Sequence, residues 1–289
     1  MGGKFSRSWQ LFKASLEVLS QDRELLWFPV LSVIAAVLVG ITFLVPLGFF
    51  VVANPELDES QGLPAAFYAG LFLFYVVQYF VIFFFNTALV GAALQRLDGS
   101  DPSFKDGLRV ASSRLGAIFG YAIIASTVGI ILQAIEERVG LVGRIIVGLL
   151  GATWTVASFL VVPVLATRDI GPLDAVKQSI ELLRNSWGEN VIGHAGFGII
   201  FAFIYAGLVG LFILIGVPLA GMSDDPERMA PPLMALAIFG ILVLMLVAII
   251  QSALKGIYSA ALYRHASSHE TTAGFSEELL SDAFQNKKK

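Results

Sequence analysis

The chain has 289 residues, of which 56 % are hydrophobic and only 14 % charged, and its mean hydropathy is +0.78. A soluble domain needs about 25 % charged residues to coat its core, so a soluble enzyme, a nucleic-acid binder and a disordered regulator are excluded and an all-α polytopic membrane protein is expected. The formal net charge of −3 marks no nucleic-acid partner, and the absence of cysteine removes disulfides, thiolate metal sites and cysteine nucleophiles.

In chain order, a polar opening segment carries Trp9, Phe12, Leu16 and Leu19 on one helical face. Lys13 and Glu17 belong to its polar remainder. A bilayer core of about 30 Å takes roughly 20 apolar helical residues per crossing. The first such run extends from Leu26 to Val52, with Pro29 and Pro46 as expected kinks, and the second from Ala65 to about Leu94. A second amphipathic segment follows, with Phe104, Leu108, Ala111 and Leu115 as its stripe. The third and fourth runs are Gly116 to Ile135 and Ile145 to Ala166. A third amphipathic segment repeats the first spacing with Leu173, Val176, Ile180 and Leu183. The fifth run is Val191 to Leu219, and the sixth starts near Leu233 and continues towards Tyr263. Continuous apolar runs of this length read as membrane helices, because a membrane barrel would alternate in short segments.

Basic residues set the direction of these spans. All but four of the 19 Lys and Arg residues flank one side: those before the first run, between the second and third, between the fourth and fifth, and after the sixth. The other side holds Arg138, Arg144 and Arg228, and Lys255 falls inside the sixth run. Both termini are therefore expected on the cytoplasmic side of the membrane. Trp9, Phe12, Trp27 and Trp187 are expected as anchors at the membrane–water boundary.

The segments also match one another. Lys13, Ser15 and Glu17 correspond to Lys177, Ser179 and Glu181, and Asn86-Thr87-Ala88-Leu89-Val90-Gly91 corresponds to Gln251-Ser252-Ala253-Leu254-Lys255-Gly256 at almost the same offset. The expected organisation is a single six-span domain over residues 1–265. It comprises three copies of an amphipathic helix plus a membrane hairpin, at about 4–98, 102–168 and 171–265, and a polar tail over 266–289.

The blocks Ser8-Trp9-Gln10-Leu11-Phe12-Lys13 and Asp22-Arg23-Glu24-Leu25-Leu26-Trp27-Phe28-Pro29 resemble the opening of an uncharacterised family of prokaryotic six-span membrane proteins. Val162-Pro163, Gly171-Pro172 and Ser186-Trp187-Gly188-Glu189 extend that resemblance. More distantly, the layout is similar to the membrane domain of bacterial glycerophosphodiester phosphodiesterases. The resemblance implies a fold and a prokaryotic plasma membrane, and it implies no chemistry, because no soluble catalytic domain is expected after the spans.

Polar groups inside a membrane are costly and are the first candidates for function. Gln78 and Asn86 share a face of the second span, and Thr87 follows. Gln251, Ser252, Lys255 and Ser259 form a stripe on the sixth. Pro163 is expected to kink the fourth span and free a carbonyl. His194 stands among glycines at the start of the fifth, either as a metal- or proton-handling group or as a satisfied structural histidine. Asn86, Thr87, Gln251, Ser252 and Lys255 are placed together at the inner mouth of a cavity. The competing reading makes them fasteners between helices, with Lys255 snorkelling to the interface. No zinc-protease helix, phosphate-cradling loop or Ser/His/Asp set is evident, so no catalytic residue, metal or cofactor is expected. Two functions remain: handling of a small polar or lipid-like substrate in that cavity, or a scaffold or accessory subunit for a protein partner of unknown identity. The lipid bilayer is the one partner common to both.

Overall fold

A computed structural model describes residues 2–54, 63–187, 192–221 and 226–268, with side chains described over 9–54, 63–184, 198–221 and 230–267. Every described element is helical: α1 (Gly2–Gln21), a 3-10 turn (Arg23–Leu26), α2 (Trp27–Ala53), α3 (Ala65–Leu97), α4 (Phe104–Ser112), α5 (Leu115–Glu136), α6 (Leu141–Ala157), α7 (Val161–Thr167), α8 (Pro172–Trp187), α9 (Ile192–Ala220) and α10 (Pro226–Ser268). Six of the helical stretches are long and apolar enough to cross a bilayer: the 3-10 turn with α2, α3, α5, α6 with α7, α9, and α10. The polar tail beyond residue 268 lies outside the described residues.

Pro29 falls in the first turn of α2, where a missing N–H leaves no gap in the ladder, whereas Pro46 lies inside it. The fourth run is not one helix. It breaks between α6 and α7, and Pro163 is the third residue of α7, where its ring is tolerated. A side chain from elsewhere stitches the break. The Ser179 hydroxyl on α8 donates to the Ala157 carbonyl at 2.6 Å and accepts the Leu160 N–H at 3.1 Å. The carbonyl left open there is that of Ala157, at the end of α6 and six residues before Pro163, so it belongs to the break and not to the proline, and Ser179 satisfies it.

The three short helices gather at the basic end of the bundle. There α4 packs on α3, α8 packs on α5, α6 and α7, and α1 packs on α9 and α10. Each thus covers the hairpin that precedes it in cyclic order, and α1 closes onto the last. Small residues permit the approach. A Cβ at Gly107 on α4 would stand 2.5 Å from Phe28 and 2.7 Å from the Ala88 carbonyl. Phe28 also stacks on Phe104 at 4.8 Å between ring centres, tying α2 to α4.

Exposure along α1 and α8 follows one pattern. Leu11, Ser15 and Leu19 are buried, as are Ala175, Ser179 and Leu183, while Trp9 and Leu16 are exposed, as are Leu173 and Ile180. The apolar stripe read from the sequence therefore divides: half of it enters the protein and half faces outward. Phe12 belongs to the inner half. It is buried, with Trp9 stacked against it at 5.3 Å and Phe201 edge-on at 5.9 Å, because α1 wedges against α9 instead of lying free. Phe12 is a core residue, in contrast to the expected boundary anchor.

The inner segments of α3, α7 and α10 make the core. Ala88, Leu89, Val164, Leu165, Leu254 and Ile257 are fully buried there. Ion pairs and a hydrogen bond lace the rim: Arg264 with Asp98, Arg114 with Asp169, and Thr167 with Tyr263 at 2.7 Å. At the opposite end the hairpins present their side chains outward, with Phe49, Val52, Leu141 and Leu214 all more than two-thirds exposed.

Candidate functional site

A cavity of about 290 Å³ opens where the three returning helices meet. From α3 it takes Asn86 and Val90, and from the break and start of α7 it takes Phe159 and Val162. The remaining wall is α10, with Gln251, Ser252, Lys255 and Ser259 as its polar members and Ala248 and Gly256 between them. Helical periodicity explains the polar wall, because residues four apart share a face. Gln251, Lys255 and Ser259 are such a series, as are Asn86 and Val90. The two series come from the matched segments of α3 and α10, so corresponding positions in the two helices meet across one space.

The polar groups are unequally engaged. Tyr205 on α9 donates its hydroxyl to Gln251 Oε1 at 2.9 Å. Ser259 donates to the Gly256 carbonyl at 2.9 Å, within its own helix. No hydrogen bond or ion pair joins Asn86, Ser252 or Lys255 to another described side chain. The lining residues thus bring two amide NH₂ groups, a hydroxyl and an ammonium that have no acceptor among the described residues.

Other expected site residues fall elsewhere. Thr87 is fully buried beside the cavity, in the α3 packing surface, and its hydroxyl has no partner among the described residues. Gln78 is about 12 Å further along α3 from Asn86, too far to share the space, and its buried Oε1 likewise has no described partner. Pro163 is buried behind Val162 and does not line the wall. The side chains of His194 and Trp187 lie outside the described residues. Trp9 and Trp27 are exposed, at 41 % and 58 %, and Lys13 Nζ stands 5.7 Å from the Trp9 ring centre.

Two members of the site escape a sequence reading. Tyr205 sits in an unbroken apolar run, although a tyrosine hydroxyl there must seek a partner. Phe159 belongs to the helix break, which no glycine announces. Among the described residues no three histidine, cysteine or carboxylate groups come together in a way that could hold a metal ion.

No curated protein matches the chain. A family of unknown function, DUF6159, matches residues 65–275, which takes in every residue lining the cavity and well over half of the chain. The protein belongs to that family.

Proposed function

We propose that this protein binds and passes a small polar or lipid-like substrate at the cavity between α3, α7 and α10. We place it in a prokaryotic plasma membrane with both termini in the cytoplasm, the setting that the basic flanks and the family resemblance favour. The observation that carries the reading is the convergence of Asn86, Gln251, Ser252 and Lys255 on one space, three of them without a hydrogen-bond or ion-pair partner among the described residues. Depth supports it as well. Asn86 lies about 32 Å along α3 from Ala65 and Lys255 about 33 Å along α10 from Leu233, close to the thickness of the hydrocarbon layer. The cavity thus stands where a cytoplasmic vestibule would reach the apolar layer. The role is binding and passage, not catalysis.

The same proposal includes a threefold internal repeat with its axis along the membrane normal. The cyclic packing of α4, α8 and α1, and the shared exposure pattern of α1 and α8, support it. It also makes the outward faces of these helices interfacial, with Leu16, Leu173 and Ile180 lying against lipid.

A second reading, that of a scaffold or accessory subunit, is favoured by one contact. The Tyr205–Gln251 hydrogen bond fastens α9 to α10, which is what a structural polar group does in a membrane.

Thiol labelling separates the two, since the cysteine-free chain gives no background. With the cytoplasmic face opened, Asn86→Cys and Gln251→Cys should react with a small charged thiol reagent, and Leu244→Cys should not, because a thiol without water stays protonated. Inert cysteines at both cavity positions in folded protein would leave the scaffold reading standing. The orientation has its own check: Ser60→Cys should react from outside intact cells, and Ser112→Cys only after opening.

A further inference from the structure

The cavity's chemistry is one-sided. Of the described residues that line it Lys255 alone carries a charge, and no carboxylate is among them. The ammonium has no ion-pair partner among the described residues. Lys255 is exposed at the cavity, and a cation at the edge of an apolar layer draws an anion to it. The amides point the same way. Tyr205 occupies the Gln251 carbonyl oxygen and leaves the Gln251 NH₂ group without a partner among the described residues, and Asn86, which also lines the cavity, offers a second amide. Charge-assisted bonds from such donors to anionic oxygens are short and strong.

The opposite wall is apolar, built from Val90, Phe159 and Val162. A space of about 290 Å³ is at the small end for ligand pockets, which run from about 300 Å³ upwards. It suits a headgroup-sized moiety and is too small for a whole two-chain lipid.

Resting on the reading of this cavity as a substrate site, we infer that it takes an anionic oxygen group, a phosphate or a carboxylate, held by Lys255, Asn86 and Gln251, with an apolar substituent against Phe159 and Val162. The group comes either from a lipid-like headgroup or from a free anion.

The test uses full-length Ser252→Cys in a neutral maltoside micelle, with an uncharged methanethiosulfonate as the reporter and Ser112→Cys as the exposed control. The probes are dodecyl phosphate, dodecyltrimethylammonium and inorganic phosphate. At about ten times its half-protecting concentration, dodecyl phosphate should slow Ser252→Cys labelling by about tenfold, as mass action requires. It should leave Ser112→Cys unchanged, and the cationic amphiphile should protect neither site. Lys255→Gln in the Ser252→Cys background should abolish the protection and Lys255→Arg should keep it, which distinguishes loss of charge from loss of fold. Protection by dodecyl phosphate alone assigns a lipid headgroup, and protection by inorganic phosphate as well assigns a free anion. Either result carries the inference. If Ser252→Cys labels readily but the cationic amphiphile protects it equally, or Lys255→Gln protects as the parent does, the anion inference fails and the cavity reading survives. If folded Ser252→Cys does not label at all, the cavity reading fails and takes the inference with it.

Discussion

The two ends of this bundle solve different problems. At the basic end, α1, α4 and α8 wrap the inner segments of α3, α7 and α10, and the residues between them are sealed from solvent as in a soluble core. At the other end, equally apolar residues of α2, α6 and α9 face outward. Composition does not separate the two regions, but neighbours do. Towards lipid an apolar side chain needs no protein partner, and helices associate there through packing and hydrogen bonds alone. On the proposed placement the basic end is where the helices leave the apolar layer and water demands a core, which α1, α4 and α8 complete.

The largest effect expected from this contrast is in packing. Leu89 is fully buried against Gly256 at the basic end, while Leu214 is 71 % exposed at the other. Truncating Leu89 to alanine should cost about 3 kcal/mol of stability, the middle of the range for a cavity left in a packed core. Leu214→Ala should stay within about 0.5 kcal/mol. Unfolding titrations in mixed micelles measure both, and equal losses would erase the distinction between the two ends.

A smaller effect separates two serines at matched positions. Both Ser15 and Ser179 are fully buried. Ser15 only bonds back to the Leu11 carbonyl of its own helix at 3.0 Å, whereas Ser179 satisfies two backbone groups of the broken fourth span. Ser179→Ala leaves a buried N–H and a buried C=O without partners and should cost about 1–3 kcal/mol. Ser15→Ala should cost about 0.5 kcal/mol or less, because back-bonding contributes little to a helix. The same unfolding assay applies. A harmless Ser179→Ala would mean that the break is held by something other than α8.

These residues also show what could be read from the sequence and what could not. The six apolar stretches and the polar stripe of α10 were legible, because each is set by local periodicity that survives in one dimension. The meeting of Asn86 with Gln251 was legible only through the matched segments of α3 and α10. The break after Ala157 was not, since Thr155 to Pro163 carries no glycine and its repair comes from a hydroxyl on another helix. Phe12 was misjudged for a similar reason. Its burial depends on Phe201, at the far end of the chain's cyclic packing, and an amphipathic stripe does not say which of its members meet protein. Gln78 shares a helical face with Asn86, but a face says nothing about depth.

The smallest effect expected lies at the rim of α4. There Asp106 forms a capping box with Ser103, accepting both its hydroxyl at 2.6 Å and its N–H at 3.0 Å. These bonds hold the Asp106 carboxyl below its usual value of 3.8. A carboxylate whose pKa is lowered by folding stabilises the fold above its unfolded pKa, and that contribution fades as pH falls through the folded value. The stability difference between the parent and Asp106→Asn should therefore be constant from neutral pH down to about 4 and shrink below it. A difference that grows on acidification would contradict the sign of this shift.

The central claim is that water reaches the cavity where the packed end meets the lipid-facing end. The most direct measurement is deuterium accessibility of single spin labels along α10, read by electron spin-echo modulation in lipid nanodiscs at positions 244, 251, 252, 255 and 259. The account predicts low water contact at Leu244 and a sharp rise at Gln251, Ser252 and Lys255. A flat profile, as dry at Gln251 as at Leu244, would contradict it.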